Sequence, residues 1–339
     1  MFTRRSYSIR ELLYWTRREI LFLIVLALIP TLLYAVAGWK WLEIPWVPIA
    51  LLGTAVAFVV GLKNNASYER MWEARRSFGA IVTASRAWGI MVRDYVTNRH
   101  AKSPLTGDEL RDIHRTLIDR HIAWLTALRF QLREPRGWES MSRKYNVEYR
   151  KKYSVEEQEA NLGDELKKHL SSDELNYVLG KKNKAAQIIA LQSGHVRELL
   201  DAGLVDDFRH VELEESLIEL YSHQGSCERI KNFPYPRQYA TLNLIFVKLF
   251  VLMVPFGMMQ EFDRMGGGMI WLNIPFSALV SWVFISMEKI GEATENPFEG
   301  GPNDIPITSL SRNIEIDLKE MLDAPDLPPA LAPIHDILM

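Results

Sequence analysis

The chain has one cysteine, Cys227, in 339 residues. This excludes an intrachain disulfide and fits a reducing compartment, with the thiol read as a buried, neutral side chain. Excess charge is also lacking. Forty Lys and Arg stand against 42 Asp and Glu, leaving a formal net charge of −2, so there is no overall basic field for nucleic acid. Lys151, Lys152, Lys181, Lys182 and Lys184 make local basic sites, but acidic residues interleave them without an aromatic stacking pattern, which argues against nucleic-acid binding. Strand-like alternation is absent outside the apolar runs, so the predicted class is all-α. The densely charged stretch from Arg93 to Arg237 holds no apolar run long enough to cross a bilayer.

Such runs lie elsewhere, at residues 20–38, 44–62, 242–259 and 269–287. Each approaches the ~20 residues that span a hydrocarbon core, which predicts four transmembrane helices. An average of 48% hydrophobic and 24% charged residues therefore hides two compositions. The implied organisation has four parts. Residues 1–95 hold a basic amphipathic start, the first two spans and an extension of the second. Residues 96–237 form a water-exposed helical region, 238–290 the last two spans, and 291–339 a Pro- and Gly-rich tail. A cleaved leader ending near Ala35-Val36-Ala37 is disfavoured, because the apolar stretch is long and three further spans follow.

From Pro48 to Val96 no proline interrupts the chain, although Ile49–Leu62 is apolar and Lys63–Arg75 is charged. One helix of roughly 70 Å is predicted to leave the membrane and continue into water. Arg4, Arg5, Arg10, Arg17 and Arg18 precede the first run, and Lys63, Arg70, Arg75 and Arg76 follow the second. That placement predicts cytoplasmic termini in an inner (plasma) membrane, with Trp39, Trp41, Trp46 and Trp271 at the interfaces. Leu110, Ile113, Leu117, Trp124 and Leu128 recur at helical spacing, as do Leu213, Leu217 and Leu220, so residues 96–237 read as a bundle. Residues 134–184 read as an exposed helical excursion or a mobile loop, a short helix is expected around 314–322, and the tail at 324–332 should wrap another surface.

Thr54, Phe58 and Leu62 follow one another at four-residue intervals and share a helical stripe among Gly53, Ala55, Ala57 and Gly61. Such a stripe either packs on neighbouring helices or, repeated around an axis, forms an apolar ring that gates ions by dewetting. No catalytic pattern accompanies it. His114 and His121 lie seven residues apart, too far for one metal without a third ligand, and Gly266-Gly267-Gly268 lacks the Lys-Ser/Thr of a phosphate loop. Neither an enzyme activity nor a metal or other cofactor is expected.

The run Gly61-Leu62-Lys63-Asn64-Asn65 with Tyr68, Arg70, Trp72, Glu73 and Arg75 resembles the signature of the bestrophin family in its bacterial form. Downstream, Glu295-Asn296-Pro297-Phe298 and Asn303-Asp304-Ile305-Pro306 resemble the segment that follows the last transmembrane helix in that family. The resemblance implies a homopentameric channel for small monovalent ions with one central pore. Its neck pattern falls on Thr54, Phe58 and Leu62. The threonine departs from the usual aliphatic residue, so one ring of the neck is expected to be wetter. A second, cytoplasmic constriction aligns near Phe208, with Val211 the next candidate. Animal members bind calcium through an acidic run after Asn-Pro-Phe. Here that place reads Glu299-Gly300-Gly301-Pro302-Asn303-Asp304, too poor in carboxylates for a six- to eight-oxygen site, so Glu299 and Asp304 read as surface or capping residues.

Three choices stay open at this level. Arg70, Glu73 and Arg75 either make ion pairs between helices or subunits or act in ion passage, and Asn64 and Asn65 either cap helix ends or line the pore. Asp201, Asp206, Asp207, Glu212, Glu214 and Glu215 near the second constriction either favour cations or form a solvated face, and the resemblance leaves both ions open, since the family is best known for chloride while its bacterial members can favour cations. A secondary transporter and a membrane-anchored interaction protein are the rivals. Against the transporter, no half-to-half repeat is visible and Lys248 is the only charge well inside a span.

Overall fold

A computed structural model describes the backbone of residues 1–339 and every side chain except those of Lys144 and Tyr145. The helices are α1 (Ile9–Trp15), α2 (Arg17–Ala35), α3 (Trp46–Tyr95), α4 (Gly107–Arg133), α5 (Lys144–Arg150), α6 (Glu156–Glu159), α7 (Leu162–Leu166), α8 (Ser172–Leu179), α9 (Lys184–Asp201), α10 (Asp207–Asn232), α11 (Arg237–Arg264), α12 (Asn273–Thr294) and α13 (Ile307–Glu320). Two isolated bridges are the only β pairing among the described residues. The fold is all-helical, and four helical segments are long and apolar enough to cross a membrane.

The chain divides into two compact units, residues 4–70 with 234–296 and residues 1–3 with 71–233 and 297–339. The first, the membrane unit, contains α2, the apolar part of α3, α11 and α12. Its core is Leu23, Ile49, Val56, Val60, Val247, Phe250, Val251 and Val254. Close approach of α3 and α11 depends on small residues. A Cβ on Gly53 would lie 2.7 Å from the Phe250 ring, and one on Gly257 would lie 2.9 Å from Trp46 Cε3, so a side chain at either position would force its neighbours to shift. Asn273 donates to Thr31 Oγ1 at 2.9 Å and to the Pro255 carbonyl at 3.0 Å, which satisfies polar groups in an otherwise apolar interior. The turn before α12 is made by Gly266, Gly267 and Gly268, with φ of 65°, 59° and 79°, values that side chains beyond glycine rarely adopt.

α3 is one 50-residue helix, ~75 Å long at 1.5 Å per residue. α2 stops at Ala35 rather than near residue 38, because Gly38 turns the chain at φ 73°. α12 runs to Thr294, beyond the apolar run, because its charged residues find partners. Lys289 Nζ lies 2.8 Å from Glu19 Oε1 and 3.1 Å from the Trp15 carbonyl.

The second unit is a bundle of the charged part of α3 with α4, α9, α10 and α13, centred on Phe78, Trp88, Leu117, Trp124, Val196, Leu213 and Leu318. Thr106 and Glu109 form a capping box that starts α4, and Asp206 caps α10 through the Arg209 amide at 3.1 Å. Residues 134–184 include the short helices α5 to α8. Tyr153 and Val155 from this stretch are buried against Ile337 and Met339, so the end of the tail lies on its own chain. Thr3 N donates to the Asp336 carbonyl at 2.8 Å, and Ser309 N to the Met339 carbonyl at 2.6 Å.

Candidate functional site

Thr54, Phe58 and Leu62 lie on an exposed face of α3, Phe58 at 68% and Leu62 at 53% exposure. The Thr54 hydroxyl donates to the Ala50 carbonyl at 3.0 Å, so its proton is committed within the helix and its lone pairs face outward. The same face continues past Leu62 through Asn65, Glu69, Trp72, Arg76 and Gly79, all exposed, because multiples of three and four residues return to one side of a helix. It is therefore apolar at Phe58 and Leu62 and largely polar from Asn65 onward.

The other signature residues divide by environment. Asn64 Nδ2 donates to the Met287 carbonyl at 3.2 Å, a helix-to-helix tie, whereas Asn65 and Tyr68 are exposed and Arg70 is half-buried. Glu73 pairs with Arg229 of α10, an interhelical ion pair, while Arg75 is exposed beside exposed Trp72. Asn296, Pro297 and Phe298 are all buried, with Phe298 in the bundle core.

Phe208 and Val211 sit on the first turns of α10 at 87% and 54% exposure. The carboxylates around them have distinct tasks. Asp206 caps the helix and pairs with Arg209 at 3.3 Å, Glu212 accepts from the Tyr95 hydroxyl at 2.6 Å, and Glu215 and Glu219 are exposed on the Phe208 side. Lys248 is exposed on α11.

Glu299 and Asp304 are buried, which corrects the expectation that they lie at the surface. Phe298 anchors the segment in the core and draws both carboxyls inward, where donors await them. Glu299 accepts from Ser140 N at 2.8 Å and Ser140 Oγ at 2.7 Å; Asp304 accepts from Gly300 N at 2.8 Å and Gly301 N at 2.9 Å. Asp304 thus closes the turn that precedes it, while the residue at the N-cap of α13 is Pro306. Arg133 Nη1 lies 3.6 Å from Asp304. Burial nevertheless dominates. It raises Glu299 from 4.5 to about 8, with Asp304 adding to the effect, and raises Asp304 from 3.8 to about 6 against the pull of Arg133.

Of the histidines, His121 is buried between Trp88 and Trp124 with Nε2 2.9 Å from Ser85 Oγ, and burial lowers it to about 3. His114 Nε2 meets the Val96 carbonyl at 2.9 Å. Both are occupied in packing. No cluster of three or more metal-ligating side chains occurs among the described residues.

Sequence reasoning missed the partners that surround the signature. Lys63, Glu288 and Asn243 form a buried cluster. The available signal was an ionisable residue at the end of each of two apolar runs, but nothing in the spacing paired them across 225 positions.

The family profile described as "Bacterial/Fungal Bestrophin protein" matches residues 9–320. The voltage-dependent anion channel-forming protein YneE of Escherichia coli K12 is 26% identical over 84% of this chain and 80% of its own length. The protein of the same name from Salmonella typhi is 29% identical over 83% and 78%. The crystal structure of a bacterial bestrophin homolog from Klebsiella pneumoniae superposes with a TM-score of 0.75 at 22% identity, covering 91% of this chain and 99% of that one. With nearly its whole length matched, this chain belongs to the bacterial bestrophin family.

Proposed function

We propose that the chain assembles as a homopentamer in the plasma membrane, termini cytoplasmic, and passively conducts small monovalent ions, anions foremost, through a neck of Thr54, Phe58 and Leu62. The carrying observation is the exposed face of α3, apolar at Phe58 and Leu62 and polar from Asn65 onward. Large apolar side chains left uncovered on this face of the spanning helix are available to form a constricting ring when several copies surround one axis. Five copies of one heterologous interface close into a ring. Phe208 and Val211 of α10 supply a second, cytoplasmic constriction. The names of the curated relatives, anion channel-forming proteins, support the ion class.

Cation conduction is the second reading, supported by Glu212, Glu215 and Glu219 on the Phe208 side of α10, where five copies would make the potential negative. Ion flux from liposomes holding the purified protein tests the main proposal. A channel passes ions without a coupled gradient. Saturating, coupled flux would indicate a transporter, and absence of flux an interaction protein.

A further inference from the structure

Directly after Leu62 the membrane unit holds a buried ionic cluster that does not face the exposed side of α3. Lys63 Nζ pairs with Glu288 Oε1 of α12, and Glu288 Oε2 accepts from Asn243 Nδ2 of α11. Lys63 is 3% exposed, Glu288 6% and Asn243 1%. Asn64 adds its bond to the Met287 carbonyl, and a Cβ on Gly291 would overlap the Asn64 amide. Three helices are thereby tied at one level.

Helical geometry gives this tie a direction. At about 100° per residue, the midpoint of Lys63 and Asn64 lies about 170° from the midpoint of Phe58 and Leu62, on the opposite side of α3. The close contacts of Gly53 with Phe250 and of Trp46 with Gly257 orient the start of α3; about three turns further on, where Gly61 has open space beside it, the polar cluster is the directional contact. A buried ion pair with a third hydrogen-bond partner is satisfied in one register only, which is the best-attested use of such groups.

We propose that Lys63 and Glu288, with Asn64, are positioning residues that set the rotation of α3 and so hold Phe58 and Leu62 on its exposed face. The inference rests on the neck reading above. A slip of one residue would turn the helix by about 100° and remove both side chains from that face.

Cysteine modification in the full-length protein tests it, since Cys227 is buried and its thiol is pushed up to about 12, giving a silent background. A cationic methanethiosulfonate is applied to Leu62→Cys and, as the back-face probe, to Val60→Cys, which replaces a fully buried side chain. With Lys63 intact, Leu62→Cys reacts and Val60→Cys does not. Lys63→Met should slow the first at least about tenfold and expose the second, while Lys63→Arg keeps the native pattern. Unchanged rates in Lys63→Met, or Lys63→Arg behaving like Lys63→Met, would overturn the proposal. Leu62→Cys inert with Lys63 intact would instead remove the neck itself. If Lys63→Met does not insert, Glu288→Gln, which keeps the side-chain size, carries the same comparison.

Discussion

Phe58 and Leu62 are large apolar side chains exposed on a helix in the membrane unit, and water leaves a ring of such groups when it is narrow. If they form the proposed neck, replacing both with alanine widens and wets it, so conductance or open probability should rise severalfold in bilayer recordings. An unchanged current from correctly assembled protein would count against the neck. At Glu299 and Asp304 the carboxyl oxygens already accept hydrogen bonds from Ser140, Gly300 and Gly301. Calcium chelation should therefore leave currents as they are, and a large loss on adding EGTA would show otherwise. Both groups bind a proton more readily folded than unfolded, from the ordinary values of 4.5 and 3.8 up to about 8 and about 6. Their contribution to stability is greatest at low pH and declines as pH rises across that window. Glu299→Gln should flatten the fall in melting temperature between about pH 5 and 8, which thermal unfolding in detergent measures. A slope as steep as that of the native chain would exclude Glu299 as its source.

Among the helices, the long apolar runs and the uninterrupted 48–96 stretch were legible because bilayer width and the absence of proline act on local sequence. Their contacts were less so. That α3 meets α11 through Gly53 and Gly257 depends on which faces approach, and glycine by itself does not say. Gly257→Leu should cost ~1–3 kcal/mol through overpacking against Ile49 and Trp46, seen as a lower melting temperature. No change would mean that the two helices separate freely. The Lys63–Glu288 pair was hidden for a related reason, since its members are far apart in sequence and each alone resembles an ordinary interfacial charge. Burial of Glu299 and Asp304 was equally unreadable, because their donors come from Ser140 and from glycine backbone rather than from any patterned side chain. Of the candidate site, the Phe58 and Leu62 stripe could be read from spacing, but only the family resemblance chose pore over packing.

For the whole molecule, a ring of five 39.1 kDa chains has a protein mass of about 196 kDa, which native mass spectrometry reads directly; a stable dimer or tetramer would rule out the fivefold axis. In the proposed pentamer ion choice is a property of the assembly, because the potential at the pore would sum five copies of Arg76 on α3 and of Glu212, Glu215 and Glu219 on α10. Single-channel recording of the purified protein in a planar bilayer under asymmetric KCl bears most directly on conduction. The expected result is a unitary current that needs no coupled gradient and reverses near the chloride equilibrium potential. A silent bilayer containing verified assemblies, or flux only when a second gradient drives it, would contradict the channel.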